Sequence, residues 1–400
     1  MAVTVIGVDG ATLAPGGAEL VARASLVVGG RRHLARLAPD APRTVELGPL
    51  DDAVRELHDY AGDKAPSDAV VLASGDPGFF GVLRALRAAG VVVTVLPALS
   101  SVQRITALAG RPWDDVAVVS AHGRDIGPAL NVCRTHRAVV VLTGPGAGPA
   151  ELGAGLRGWR RNLVVAEDIG GPAETLSTVE ATAAADREWR APNIVLCLPE
   201  SDPPPGRSWL AGGLGTPPDD GWALDEDAFA HRDGMVTKPE VRAVALARLA
   251  PRPGTLVWDV GAGSGAVGVE CARLGAAVIA VERDPGQCVR IVANAAKYGV
   301  DVRLEDMEAP AALEGLPQPD AIFVGGGGPN VVRAAAAAGA GRIVVALASL
   351  DRFALSRDAL RAAGYQVDGC QVTAARLTDL PGGTSRLTGA NPVLLLWGTR

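Results

Sequence analysis

The sequence predicts an α/β chain of two modules, the second a Rossmann-like doubly wound sheet. Three observations point there. At 400 residues the chain exceeds one ordinary core. Strand-like and helix-like runs alternate in two separate series, before residue 201 and after residue 230. Within the second series, Gly261-Ala262-Gly263-Ser264-Gly265 joins a strand to a helix.

In the first series residues 3–8, 26–28, 69–73, 91–96, 116–120, 138–142, 163–166 and 194–198 are short apolar runs, and 53–61, 82–89 and 101–109 have helical composition. Continuous apolar strands alternating with helices predict a parallel sheet covered on both faces. From 201 to 227 the hydrophobic pattern stops, and Pro203, Pro204, Pro205, Pro217 and Pro218 sit among Gly and Asp. That is linker composition. The expected organisation is therefore a module over 1–200, a linker over 201–230 and a module over 231–400. The second series opens with a helix over 239–249 that carries Pro239 in its first turn. Strand 255–260, helix 266–274, strand 277–281, helix 286–298 and strand 302–304 follow. Strands 321–324 and 342–346 come next, then a closing pair, 366–372 and 393–397. That order is the doubly wound one.

Composition narrows the function. The formal charge is −6 with no block of Lys or Arg, whereas nucleic-acid binding leaves a basic footprint, so no nucleic-acid partner is expected. No apolar run reaches the roughly 18 to 20 residues that cross a bilayer, and no basic segment leads into a longer apolar stretch at the N-terminus. No membrane partner is expected, and the chain reads as cytoplasmic. The five cysteines, Cys133, Cys197, Cys271, Cys288 and Cys370, are scattered with no CxxC pair. That predicts reduced, buried thiols and no metal site.

The glycine loop carries the chemistry. Val257-Trp258-Asp259-Val260 ends a buried strand, and Gly261 to Gly265 turn it into a helix, admitting a ligand where Cβ atoms would obstruct. The helix start offers free N–H groups. Glu282 stands at the end of the next strand, 21 residues after Gly261, where a carboxylate can accept both hydroxyls of an adenosine ribose. These features serve either NAD or S-adenosylmethionine, and with Ala266 the loop even satisfies G-x-G-x-x-A. Two details favour the methyl donor. Asp259 lies two residues before the first glycine, where it can orient a methionine ammonium, and the spacing also gives G-x-G-x-G. Downstream, Phe323-Val324-Gly325-Gly326-Gly327-Gly328 lacks the Asn/Asp-Pro-Pro-aromatic signature of nitrogen-directed methyltransferases. The glycines leave room for a broad, flat substrate, so carbon is the expected acceptor.

The motifs Met235-Val236-Thr237-Lys238-Pro239-Glu240-Val241-Arg242, the loop at 258–265, Val281-Glu282-Arg283-Asp284, residues 294–300, the glycines at 325–328 and Asn391-Pro392-Val393 fall in a familiar order. By them the second module resembles the C15-methylating, decarboxylating methyltransferases of cobalamin synthesis. The resemblance implies S-adenosylmethionine contacts at Thr237, Gly261 to Gly265, Glu282 and Glu308-Ala309, with Met307 where relatives often carry Gly. The first module resembles the class III tetrapyrrole methylases through Leu72 to Gly81, Pro97 to Gln103 and Asp114 to Arg124. That fold holds S-adenosylmethionine between two subdomains, and its contacts would fall on Gly75, Asp76, Pro77, Ser100 and Ser101. The first loop, Gly7-Val8-Asp9-Gly10-Ala11, departs from the usual G-x-G-P-G. The fusion resembles the precorrin-6Y C5,15-methyltransferase (decarboxylating) family. This implies one S-adenosylmethionine site per module, with C5 methylation by residues 1–200. C15 methylation with loss of the ring C acetate as CO2 would belong to residues 231–400, giving precorrin-8X. Relatives of both halves self-associate, so a homo-oligomer is expected.

A precorrin carries many carboxylates, and guanidinium matches their geometry. Arg376, Arg386, Lys238 and Arg242 are the expected orienting residues of the second module, and Arg104 and Arg124 those of the first. His122, at a strand end beside the first cleft, could handle protons. Two other readings stay open at this point: an NAD-dependent oxidoreductase using Glu282, and a chain whose altered first half serves only as a scaffold.

Overall fold

The computed structural model describes residues 3–47, 52, 54–57, 60, 69–201, 211–212, 220–232 and 236–400. Part of the helix expected over 53–61, the five linker prolines and Met235 lie outside the described residues. The chain divides into two compact units. One is Met1–Arg124 with Ala138–Gly155 and Arg161–Ser208; the other is Asp125–Arg137 with Leu156–Arg160 and Trp209–Arg400.

In the first unit, one sheet comprises β1 (Val3–Asp9), β2 (Thr12–Leu13), β3 (Leu26–Gly29), β4 (Thr44–Glu46), β5 (Ala69–Ser74) and β6 (Val93–Leu96). β1 pairs with β5 and β6, and β3 with β5 and β4, all parallel; only the short β2 runs antiparallel to β1. Successive strand residues point to opposite faces, and both faces are covered. Val3, Val5 and Val71 pack on one side; Ile6, Val8 and Leu72 pack on the other. That explains the unbroken apolar runs.

The second sheet of this unit corrects the expectation of parallel strands throughout. β7 (Ala117–Ser120), β8 (Val139–Leu142), β9 (Arg161–Glu167), β10 (Thr175–Glu180) and β11 (Asn193–Pro199) are ordered β10-β9-β11-β8-β7. β9 is antiparallel to β10 and β11, and β11 to β8, leaving only β7 and β8 parallel. A short loop can return an antiparallel strand without a crossover helix, and an apolar run does not report strand direction. The helix Ser101–Leu108 begins at a capping box formed by Ser100 and Gln103. Its Val102 and Ile105 pack with Val140, Val164 and Leu196 of the second sheet.

The second unit contains β12 (Leu256–Val260), β13 (Ala277–Val281), β14 (Arg303–Glu305), β15 (Ala321–Val324), β16 (Arg342–Leu347), β17 (Gln366–Val372), the hairpin strands β18 (Ala375–Leu380) and β19 (Thr384–Gly389), and β20 (Val393–Thr399). Its main sheet is ordered β14-β13-β12-β15-β16-β20-β17. β12 to β16 are parallel, and β20 runs antiparallel to both its neighbours. The order reverses at β12, and a ligand crevice forms where the carboxyl ends of such strands part. Residues 220–230, expected as the end of the linker, fold onto this unit. The buried Glu270 carboxylate accepts the N–H groups of Ala223 at 2.7 Å and Leu224 at 2.8 Å. Asn294 exchanges two hydrogen bonds with the Ala230 backbone, and Phe229 is buried against Ala266, Val269 and Ala295. Side chains some 50 residues away provide these anchors, so local composition gives no sign of them. No described helix is long and apolar enough to cross a membrane.

Candidate active sites

A cavity of about 440 Å³ lies at the carboxyl ends of β12 and β13, with Gly261, Glu282, Met307, Glu308, Ala309 and Arg352 on its wall. Gly261 has φ +69°, and a Cβ there would stand 2.9 Å from the Gly326 backbone nitrogen. Only glycine allows the two loops to meet. Glu282 is held rigidly. Its Oε2 accepts the Gly263 N–H at 2.8 Å, and its Oε1 accepts those of Arg283 and Asp284 at 2.9 Å. Ala262, Ser264 and Gly265 complete the turn; Ser264 is buried, and its carbonyl accepts from Asn294 at 2.8 Å.

Asp259 is fully buried beneath that loop. Its Oδ2 accepts the Gly268 N–H at 2.8 Å, whereas Oδ1 has no partner among the described residues. Burial pushes the carboxyl up to about 7; the Gly268 bond opposes this and the Glu282 charge adds to it. An orphaned buried carboxylate oxygen is costly, and a ligand ammonium would relieve it. The fixed Glu282 and the Cβ-free loop complete a donor and acceptor set that fits S-adenosylmethionine. Asp259 could hold its ammonium, Glu282 its ribose, and the Met307-Glu308-Ala309 wall its adenine.

The arginines divide differently from expectation. Arg242 has no donor left for a substrate, because each of its side-chain nitrogens is engaged in the interior: Nε donates to Glu270 at 3.0 Å, and the other two donate to the Thr237 and Leu224 carbonyls. Burial lowers its pKa against the opposing pull of Glu270. Its work is to hold the backbone of Thr237, which does not itself line the cavity. Arg376 is also engaged, donating to Glu240 at 2.8 and 3.0 Å and to Glu226 at 2.6 Å, while Lys238 pairs with Glu226. Hydrogen bonding to Glu240 foremost, and to Glu226, raises the Arg376 pKa. Arg386 is exposed on β19 and lines neither this cavity nor the adjoining one. Among the described residues two cations line the cavity: Arg283, which pairs with Glu308, and Arg352, and neither was among the expected orienting residues. Arg352 borders both the 440 Å³ cavity and a neighbouring one of about 170 Å³ floored by Gly325, Gly326 and Gly328. It stands two residues into a helix after an unremarkable loop, so no motif marks it.

The first unit has its own cavity of about 350 Å³, bordered by both sheets, with Ser74, Gly75, Ser101, Arg124, His122 and Asn193 on the wall. Gly75, at φ +66°, packs against the Ser100 backbone. Asp76 does not line the cavity; its Oδ1 takes the Gly78 N–H at 2.8 Å and shapes the turn that contains the buried Pro77. Ser100 is likewise committed, its hydroxyl accepting the Gln103 N–H at 3.2 Å as a helix cap. Gly75 and Ser101 are therefore the two of these five that reach the wall.

Arg104 faces the cavity but is clasped between two carboxylates. Nη1 lies 2.8 and 3.0 Å from the Asp9 oxygens, and Nε and Nη2 lie 2.6 and 2.9 Å from those of Glu174. The Glu174 hydrogen bond foremost, and the Asp9 charge, raise the Arg104 pKa, and Arg104 in turn lowers that of Glu174. Beside this clasp Gly10 and Gly170 touch, both at positive φ, and a Cβ on Gly10 would run into the Gly170 carbonyl. The unusual first loop is thus locked to the loop following β9. Arg124 lines the cavity without a carboxylate partner among the described residues. His122 donates Nδ1–H to the Thr143 carbonyl at 3.0 Å, which leaves Nε2 as the nitrogen without a partner among the described residues. Among the described residues no group of three or more His, Cys, Asp or Glu could hold a metal.

Comparison with known proteins adds to this geometry. The family described as tetrapyrrole (corrin/porphyrin) methylases matches residues 5–185, and that described as precorrin methyltransferase domain matches residues 227–397. A Sinorhizobium protein named precorrin-6Y C(5,15)-methyltransferase (decarboxylating) is 39% identical over 342 residues, 81% of this chain and 78% of its own. A Mycobacterium tuberculosis (strain CDC 1551 / Oshkosh) protein of the same name is 38% identical over 334 residues, 80% of this chain and 79% of its own. A Pyrobaculum aerophilum protein named probable cobalt-precorrin-6B C(15)-methyltransferase (decarboxylating) is 36% identical over 184 residues, 43% of this chain and 93% of its own. Two families matched in tandem, and relatives aligned across both, show that the chain belongs to the precorrin-6Y C(5,15)-methyltransferase (decarboxylating) family and is an S-adenosylmethionine-dependent C-methyltransferase.

Proposed function

We propose that the chain methylates a precorrin at two carbons from two separate S-adenosylmethionine sites. Residues 1–200 would serve C5, and residues 231–400 would serve C15 and remove the ring C acetate as CO2. The observation that carries this reading is a cavity in each unit bordered by that unit's own glycine turn, Gly75 in one and Gly261 in the other. S-adenosylmethionine, when bound, supplies an electrophilic methyl group on sulfonium. The protein's share is positioning. In the second unit Asp259 and Glu282 bind, the glycines at 325–328 leave a flat surface, and Arg352 anchors a peripheral carboxylate. Loss of CO2 leaves an electron pair that the conjugated macrocycle accepts, and a proton from solvent then completes the methyl group that remains, so the chain has to orient the acetate and needs no nucleophile. A cytoplasmic setting accords with five free cysteines, four of them buried, and self-association is to be read by light scattering.

Anaerobic incubation with the precorrin and labelled S-adenosylmethionine should give a product that has gained two methyl groups and lost one CO2. Gly75→Arg should remove one methyl and spare the loss of CO2. A wild-type product with a single added methyl would overturn the two-site reading. Arg352→Gln should raise KM for the precorrin by about 10- to 100-fold, the worth of one charge-assisted hydrogen bond, without weakening S-adenosylhomocysteine binding. An unchanged KM would remove Arg352 from the substrate site.

A further inference from the structure

The cavity of the first unit contains a hydrogen-bonded pair to which the reading above gives no role. Ser74, the last residue of β5, is exposed on the cavity wall. Behind it His33 is buried, with Nε2 2.8 Å from the Ser74 Oγ. Burial first, and the neighbouring Arg32 charge second, hold His33 below the ordinary histidine pKa. It is therefore neutral at pH 7, with a ring nitrogen able to take a proton. The same wall carries Arg32 and Arg124 and the exposed rings of Phe79 and Phe80, which meet edge to face at 5.0 Å. Guanidinium groups and open ring faces suit a flat, carboxylate-rich substrate, so Ser74 shares its surroundings with the groups that would receive one.

We propose that Ser74, backed by His33, takes the proton that methylation in the first unit must release. The inference rests on the assignment of C5 methylation to that unit. A bridging methine carbon that gains a methyl and returns to conjugation has to lose its hydrogen. The new carbon–carbon bond forms as the sulfur–methyl bond breaks, and the electrons of the broken bond stay on sulfur. The electrons of the carbon–hydrogen bond then return to the macrocycle. Its proton passes to Ser74 Oγ while the Ser74 proton passes to His33 Nε2, and the imidazolium later yields one proton to solvent. Ser74 is the catalytic residue, and His33 is a positioning residue acting through it.

The test uses the full chain and a precorrin deuterated at the bridging carbon. In the wild type the C5 methylation rate should show no primary isotope effect, because proton loss follows rapidly. Ser74→Ala should lower that rate on the order of 10²-fold, the worth of a general base, and expose a primary isotope effect. His33→Gln should do the same to a smaller degree, and Ser74→Thr should restore wild-type behaviour. Each variant should bind two S-adenosylhomocysteine molecules per chain as the wild type does, which also reports the fold of the first unit. Ser74→Ala without an isotope effect overturns the proposal, whether its rate is unchanged or it has lost S-adenosylhomocysteine affinity. An isotope effect appearing in His122→Gln and not in Ser74→Ala transfers the role to His122 and also overturns it. Should Gly75→Arg leave C5 methylation intact, the assignment to the first unit fails, and that result is independent of Ser74.

Discussion

Replacing Arg242 with methionine is expected to destabilise the second unit by about 3 to 5 kcal/mol, read by urea denaturation of the full chain. The side chains of Arg242 and Glu270 are fully buried and joined at 3.0 Å. Removing the cation leaves an uncompensated carboxylate in the interior and strips the donors from the Thr237 and Leu224 carbonyls. Adding Glu270→Gln should recover part of the loss, because it removes the stranded charge and keeps an acceptor for one of the Ala223 and Leu224 N–H groups. A fall below about 1 kcal/mol, the range of exposed pairs, would contradict the assignment of a buried clamp.

The second large effect concerns Asp259 and pH. With the first site closed by Gly75→Arg, S-adenosylhomocysteine should bind the second unit more tightly as pH rises toward 7, with little gain above it. The sign follows from the carboxyl being held up to about 7. Below that pH it is protonated in the free protein and must give up its proton to meet an ammonium. Affinity should therefore fall about tenfold per pH unit on the acid side. Asp259→Asn should flatten this dependence and weaken binding at pH 8 by about 10- to 100-fold. The same substitution should stabilise the ligand-free protein at neutral pH. A carboxyl raised from its ordinary value destabilises the folded state as pH climbs from about 4 to 7, by roughly 4 kcal/mol in all. A pH-independent affinity in the parent chain would remove the buried carboxylate from the cofactor site.

Much of the second unit is legible in the sequence because its central strands are buried on both faces and read as unbroken apolar runs. The loop from Asp259 to Gly265 is legible for another reason: its glycines meet steric demands that other residues cannot, as the Gly326 approach makes plain. The second sheet of the first unit was harder to read. β10, Thr-Leu-Ser-Thr-Val-Glu, is a largely exposed edge strand whose pattern resembles a polar loop. Arginine roles were illegible because the partners are distant in sequence; Arg376 meets Glu240 across 136 positions. A list of arginines cannot separate such a residue from Arg352, whose charge faces a cavity. His33 carried no signal at all, since its importance depends on the serine that the fold sets against it.

The clasp at Arg104 also constrains how such a sequence can drift. One cation stands between two carboxylates, Asp9 and Glu174, so tolerance to change is lopsided. Either acid can become neutral first and leave an intact pair. The base cannot go first, because two half-buried carboxylates would then share a pocket without a counter-charge. Gly10 and Gly170 add a second restriction, since neither has room for a Cβ. Positions 9, 10, 104, 170 and 174 are therefore expected to change as a block, acids ahead of the base and the glycines together. A lineage that adopted this unusual first loop has few single-step routes back to the common one.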